Sequence, residues 1–203
     1  MYLKVFLDLI LIQNLKVRKL LTIVNMPKSN LAIIGFGSIG KKHYKILRKS
    51  KKIDKIFIIS KSLKKIKDKK TKILKSNNEL KNFKIDFVFI CSPASKHLND
   101  AIFFMKKKSQ IFIEKPISSS LNELKKNIKN LKKYKKHIYV GYPFRFSKAA
   151  KKVKQIIKNK KLGTIVDVEV VCGSYLPRWR KGKSYKKSVS SHKKLGGGAL
   201  LEL

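Results

Sequence analysis

Leu31-Ala32-Ile33-Ile34-Gly35-Phe36-Gly37-Ser38-Ile39-Gly40 is the stretch from which the fold can be read. A short apolar run that ends on glycine is the pattern of a strand buried on both faces. The glycines then fall as G-x-G-x-x-G, where strand gives way to helix. Gly35 permits a tight turn, Gly37 lets the backbone come close to a pyrophosphate, and Gly40 lets helix and strand pack closely. Free N–H groups at the helix start would hold the phosphates. Gly35, Phe36, Gly37, Ser38, Ile39 and Gly40 therefore read as a dinucleotide-binding turn, the plainer alternative being a glycine-rich structural turn.

Working outward, strands and helices alternate. Ile39–Ser50 has helical spacing, Lys55–Ser60 is a second strand, and Ser62–Lys67 reads as a basic helical stretch. Lys72–Leu74 is a weaker strand, Asp86–Cys91 the clearest buried one, and Ala94–Lys107 a helix. Gln110–Glu114 and Ile138–Gly141 are further strands flanking an amphipathic helix, Leu121–Tyr134, with apolar positions Leu121, Leu124, Ile128 and Leu131. This alternation implies an α/β fold, a Rossmann-type doubly wound parallel sheet, with ligands outside the carboxyl ends of the strands. After Gly141 the character changes. Ser147–Lys160 reads as a helix, and Val166, Val168 and Val170 alternate with Asp167 and Glu169 as in a half-exposed antiparallel strand. The expected division is a non-domain extension over residues 1–28, a dinucleotide-binding domain over 29–142, and over 143–203 the start of an α+β domain with an antiparallel sheet.

Composition narrows the classes. The 203 residues carry 51 Lys or Arg against 11 Asp or Glu, a net charge of +40. Dense positive charge suggests a polyanionic partner. Yet 46 of the 51 are Lys and five are Arg, and 24 Ile and 11 Asn accompany them, the bias of an A/T-rich coding sequence. Phe57, Phe87, Phe89 and Phe112 lie in strands, so no aromatic-interleaved basic patch for stacking on bases is visible. A specific nucleic-acid partner is not expected. Cys91 and Cys172 make neither a disulfide framework nor metal-ligand spacing, which fits a cytoplasmic protein with no metal. No run approaches the ~18 apolar residues of a membrane span. Val5–Ile12 lacks the uninterrupted core and cleavage site of a signal peptide; an interfacial basic helix and a plain extension both remain open.

Further candidates lie at strand ends. The acid that would hold the ribose hydroxyls of NAD, roughly 20 residues past the glycines, is absent. Ser60, Lys61 and Ser62 stand there instead, and a hydroxyl beside an ammonium suits the 2′-phosphate of NADP better. The cofactor expectation is NAD(P), leaning to NADP. Cys91-Ser92-Pro93 ends the fourth strand, with His97 four residues after Pro93. Glu114-Lys115-Pro116 ends the fifth, where Lys115 could give or take a proton.

GFGSIGKKH, CSPASKH, EKPIS, GYPFRF and LGGGALLEL, in this order and spacing, resemble the Gfo/Idh/MocA oxidoreductases, the glucose–fructose oxidoreductase and inositol dehydrogenase group. The resemblance runs from about residue 30 to Leu203. It implies hydride transfer between NAD(P) and a hydroxyl-bearing carbon of a sugar, sugar derivative or cyclitol, and a homo-oligomer in the full-length form. It makes Lys115 the catalytic lysine. Glu114 and Pro116 would shape the nicotinamide site, Ser92, Pro93 and His97 would line its ribose, and Arg145 would reach cofactor or substrate. Tyr175–Arg180, Tyr185 and Gly196–Gly198 resemble members from surface-polysaccharide and nonulosonic-acid pathways. In the family the triple glycine opens a helix carrying an acid or serine and then a histidine. Here the sequence stops at Leu203 before that position, and His192 precedes the glycines. The expectation is an amino-terminal portion of a longer enzyme or a truncated product, for which nucleotide binding without catalysis is the alternative.

Overall fold

The computed structural model describes residues 28–173, 175–179 and 184–198. Most of the expected extension, together with Arg180 and Leu203, lies outside the described residues. Strands β1 (Ser29–Ile34), β2 (Ile53–Ile59), β3 (Thr71–Leu74), β4 (Phe87–Ile90), β5 (Gln110–Glu114) and β6 (Ile138–Gly141) form one parallel sheet. Their order is β3-β2-β1-β4-β5-β6, and each neighbouring pair runs parallel. That is the doubly wound order of a Rossmann fold.

Side chains on a strand alternate between faces, and the core follows this rule. Ala32, Ile34, Phe57, Ile59, Val88, Ile90, Ile111 and Ile113 face one way. They pack with Leu98, Ala101, Phe104 and Met105 of helix α2 (His97–Met105) and with Leu124 and Leu131 of helix α3 (Leu121–Lys133). Leu31, Ile33, Ile56, Ile58 and Phe89 face the other way, onto Tyr44 and Leu47 of helix α1 (Ser38–Leu47). Both faces are covered, so the strands read as continuous apolar runs rather than alternating ones. Each fully buried side chain of this size contributes roughly 1.5–3 kcal/mol. In α3 only part of the apolar stripe is used: Leu121 is 74% exposed and Ile128 is 47% exposed.

Two expected elements do not form. Ser62–Lys67 is irregular, not helical. Residues 60–70 are too few for a helix with a loop at each end, since a helical crossover needs about a dozen residues or more. Leu63 and Ile66 instead pack onto the α1 side of the core. Asp68 anchors the segment, accepting hydrogen bonds from Tyr44 Oη (2.8 Å) and Thr71 Oγ1 (3.0 Å). The alternating Thr164–Ser174 stretch also forms no strand over its described residues, 164–173. Val166, Val168 and Val170 are 94%, 68% and 82% exposed. An antiparallel strand requires a partner edge, and among the described residues none lies beside it, so the expected antiparallel sheet is not present there. Helix α4 (Lys148–Lys158) forms as expected, with the Ser147 hydroxyl accepting from the Ala150 amide at its start. A short helix α5 (Leu176–Trp179) follows. Among the described residues no helix is long and apolar enough to cross a membrane.

Candidate functional site: the glycine turn and the Glu-Lys-Pro turn

At the β1/β4 junction the two connections leave in opposite directions, which opens a crevice beyond the carboxyl ends of the strands. The turn after β1 is fixed by backbone bonds: the Gly35 amide donates to Ile59 O (3.0 Å) and the Cys91 amide to Ile34 O (2.7 Å). Gly35 has φ +87°, and a Cβ there would lie 2.7 Å from the Cys91 carbonyl oxygen. A Cβ on Gly40 would overlap the Gly35 carbonyl oxygen. Both glycines are demanded by the protein itself. Gly37 differs, because its φ is −72° and a Cβ would meet nothing within 4 Å. The protein's own packing does not demand a glycine at Gly37.

The amides of Ser38, Ile39 and Gly40 open α1, whose N-cap Gly37 has no side chain to cap them. Uncapped N–H groups at a helix start fit the phosphates of a dinucleotide. Phe36 and Ile39 serve the turn from within: both pack against the α1-side core, with the Phe36 ring edge-on to Tyr44 at 5.5 Å.

At the end of β2, Ser60 is buried and its Oγ accepts the Leu63 amide (3.3 Å), with Ser62 Oγ at 3.5 Å. Lys61 is exposed. Lys75 Nζ donates to the carbonyls of Leu63 (3.3 Å) and Lys61 (3.5 Å), which ties this loop to the end of β3.

Beyond β4, burial and then the Glu114 charge push the Cys91 thiol well above its ordinary range, leaving a protonated, inert group. Ser92 Oγ donates to Asp100 Oδ2 (2.7 Å), and Asn77 Nδ2 donates to Asp100 Oδ1 (3.0 Å). His97 is 2% exposed, with Nδ1 at 2.7 Å from the Pro116 carbonyl oxygen and Nε2 at 2.7 Å from that of Ser92. Both ring nitrogens of His97 are thus engaged by backbone carbonyls. Glu114, Lys115 and Pro116 are half-buried at the end of β5, and the Lys115–Pro116 peptide is cis. His43, on α1, donates Nε2–H to Glu114 Oε1 at 2.7 Å.

Arg145 lies exposed on a single 3-10 turn, Pro143–Phe146, after β6. The glycine run near the chain's end returns to the site: a Cβ on Gly196 would lie 2.7 Å from Ala94 Cβ and 3.0 Å from Ser119 Cβ. His192 is exposed, its Nδ1 near Ser188 O (2.8 Å) and Ser191 Oγ (3.0 Å). Among the described residues no group of three His, Cys, Asp or Glu could hold a metal ion.

The structure thus gathers the glycine turn, Cys91–Pro93, His97 and Glu114–Pro116 at one sheet edge. His43 and Asp100 join them, two residues to which no motif in the sequence gives a role. His43 follows Gly40 by three positions, hence on the same helix face, and Asp100 follows His97 by three. That spacing was the available signal.

Comparison with known proteins fits this geometry. Myo-inositol 2-dehydrogenase of Thermotoga maritima is 30% identical over 142 residues, covering 66% of this chain and 42% of that enzyme. Oxidoreductase YrbE of Bacillus subtilis is 38% identical over 80 residues, 39% of this chain and 24% of that protein. The crystal structure of scyllo-inositol dehydrogenase from Lactobacillus casei, with NAD(H) and scyllo-inositol bound, superposes with a TM-score of 0.56 at 21% identity. It covers 67% of this chain and 42% of that one, a likeness of fold. The chain therefore spans less than half the length of these relatives. The oxidoreductase family with an NAD-binding Rossmann fold, Gfo/Idh/MocA, matches residues 29–142, and the chain belongs to that family.

Proposed function

We propose that this chain provides the NAD(P) site and the proton-handling lysine of an oxidoreductase acting on a hydroxyl-bearing carbon of a cyclitol, sugar or sugar derivative. The observation that carries the reading is Gly37, a glycine the protein's own packing does not need, at the mouth of the crevice. Residues 29–142 form the cofactor part and 143–203 belong to a substrate part. Bound NAD(P) would supply the two-electron donor or acceptor. The Ser38–Gly40 amides hold its phosphates, and Gly37 leaves room for them. Cys91-Ser92-Pro93 and Glu114-Lys115-Pro116 wall the nicotinamide end. Lys115 takes the substrate hydroxyl proton at Nζ during oxidation and returns it during reduction. Arg145 is held to assist from the β6 side.

Among substrates, the cyclitol arm has support in the Thermotoga maritima relative's name. The surface-polysaccharide and nonulosonic-acid arm has no such support. For the cofactor, Ser60, Lys61 and Ser62 at the end of β2 favour NADP, while the Lactobacillus casei structure holds NAD(H). Cytoplasmic location goes with two unpaired cysteines, and self-association of the full-length form with the exposed valines 166, 168 and 170.

Titrating the chain into NADH and NADPH while following nicotinamide fluorescence tests the proposal, with saturable binding of at least one expected. Binding of neither overturns it. Lys61→Ala should weaken NADPH by about tenfold, the size of one charge-assisted hydrogen bond, and leave NADH unchanged. Equal effects on both would remove the NADP preference.

A further inference from the structure

We infer that His43 and His97 are positioning residues for Lys115, gripping the Glu114-Lys115-Pro116 turn from its two sides. The His97 ring nitrogens lie 2.7 Å from the carbonyl oxygens of Pro116 and Ser92, so one side chain reaches both loops. Ser92 is held in turn by its hydroxyl, which donates to Asp100.

Each of the two loops contains a proline, Pro93 or Pro116, which has no N–H to donate. His97, the first residue of α2, bonds to both loops. From α1, His43 packs its ring on Phe89 (5.0 Å between centroids) and Phe112 (5.6 Å) and donates to Glu114 Oε1 at 2.7 Å. The residue before Lys115 is thus held by its carboxylate and the residue after it by its carbonyl. What the grip serves rests on the proposed role of Lys115; the grip itself does not.

The test uses the whole chain without nucleotide. Amide exchange in His97→Ala should rise about tenfold in both the Cys91–Ala94 and Glu114–Ile117 segments, the scale of one net hydrogen bond. His43→Ala should raise it in Glu114–Ile117 only, and His43→Gln, which can still donate, should restore protection. An effect of His97→Ala confined to one segment, or no rescue by His43→Gln, overturns the inference. If His97→Ala does not fold, the His43 pair decides. NADH and NADPH titrations of the wild type run alongside. An intact grip with neither nucleotide bound overturns the oxidoreductase reading alone, and nucleotide binding without the grip overturns the grip alone.

Discussion

Residues 29–141 and residues 143–173 carry apolar patterns of similar clarity and meet opposite fates. In the first, every strand has a neighbour, and Ile33, Ile58, Phe104 and Ile111 are inaccessible to solvent. In the second, Val153 and Ile157 on α4 and the valines after it lie open, half or more of some side chains in water. A hydrophobic period states which side of an element can be buried. Whether it is buried depends on a second surface, and only the first region contains its own.

That contrast sets an order of expected effects. Phe104→Ala should cost about 3–5 kcal/mol, as large-to-small changes in a packed core do; a chemical-denaturation midpoint close to wild type would show that the sheet half is not the stable body. Asp68→Asn should cost about 1–2 kcal/mol, since a charged acceptor then loses donors. Burial acts to raise the Asp68 carboxyl, but hydrogen bonds from Tyr44, Thr71 and the Lys70 amide, with the Arg48 charge, outweigh it and hold it below the usual range. The stability this provides is therefore fully present above the unfolded carboxylate value of about 4 and is lost as pH falls through the lower folded value. Thermal melts from pH 6 down to 2 should converge for wild type and Asp68→Asn at the acid end. Parallel melts across that range would contradict the assignment. Val168→Ala should change stability by less than about 0.5 kcal/mol. A larger loss in the same denaturation experiment would mean that the valine stretch is covered after all.

Much of the first region was legible because local and long-range requirements agree there. Buried parallel strands must be apolar on both faces, and Leu31–Ile34, Phe87–Ile90 and Gln110–Glu114 fall where the pattern puts them. Ser62–Lys67 reads as helical in sequence, whereas the short connection and the Asp68 anchor decide its path and Leu63 and Ile66 pack onto the core. The valine strand was misread because alternation says nothing of a partner. At the site, glycine spacing reveals the turn but not which glycines the packing demands. Cβ geometry separates Gly35 and Gly40, which it demands, from Gly37, which it does not. His97 was visible as a residue, but its committed nitrogens depend on two loops more than a helix turn apart in sequence.

Gly37 bears most directly on the central claim. In Gly37→Val the new side chain points into space that no protein atom fills. Thermal stability should stay within about 1 kcal/mol, the scale of an N-cap change. Binding of the preferred nucleotide, NADH or NADPH, should fall by at least about thirtyfold, since blocked phosphate contacts are each worth more than 1 kcal/mol. A folded Gly37→Val chain that binds the nucleotide as well as wild type would contradict the account.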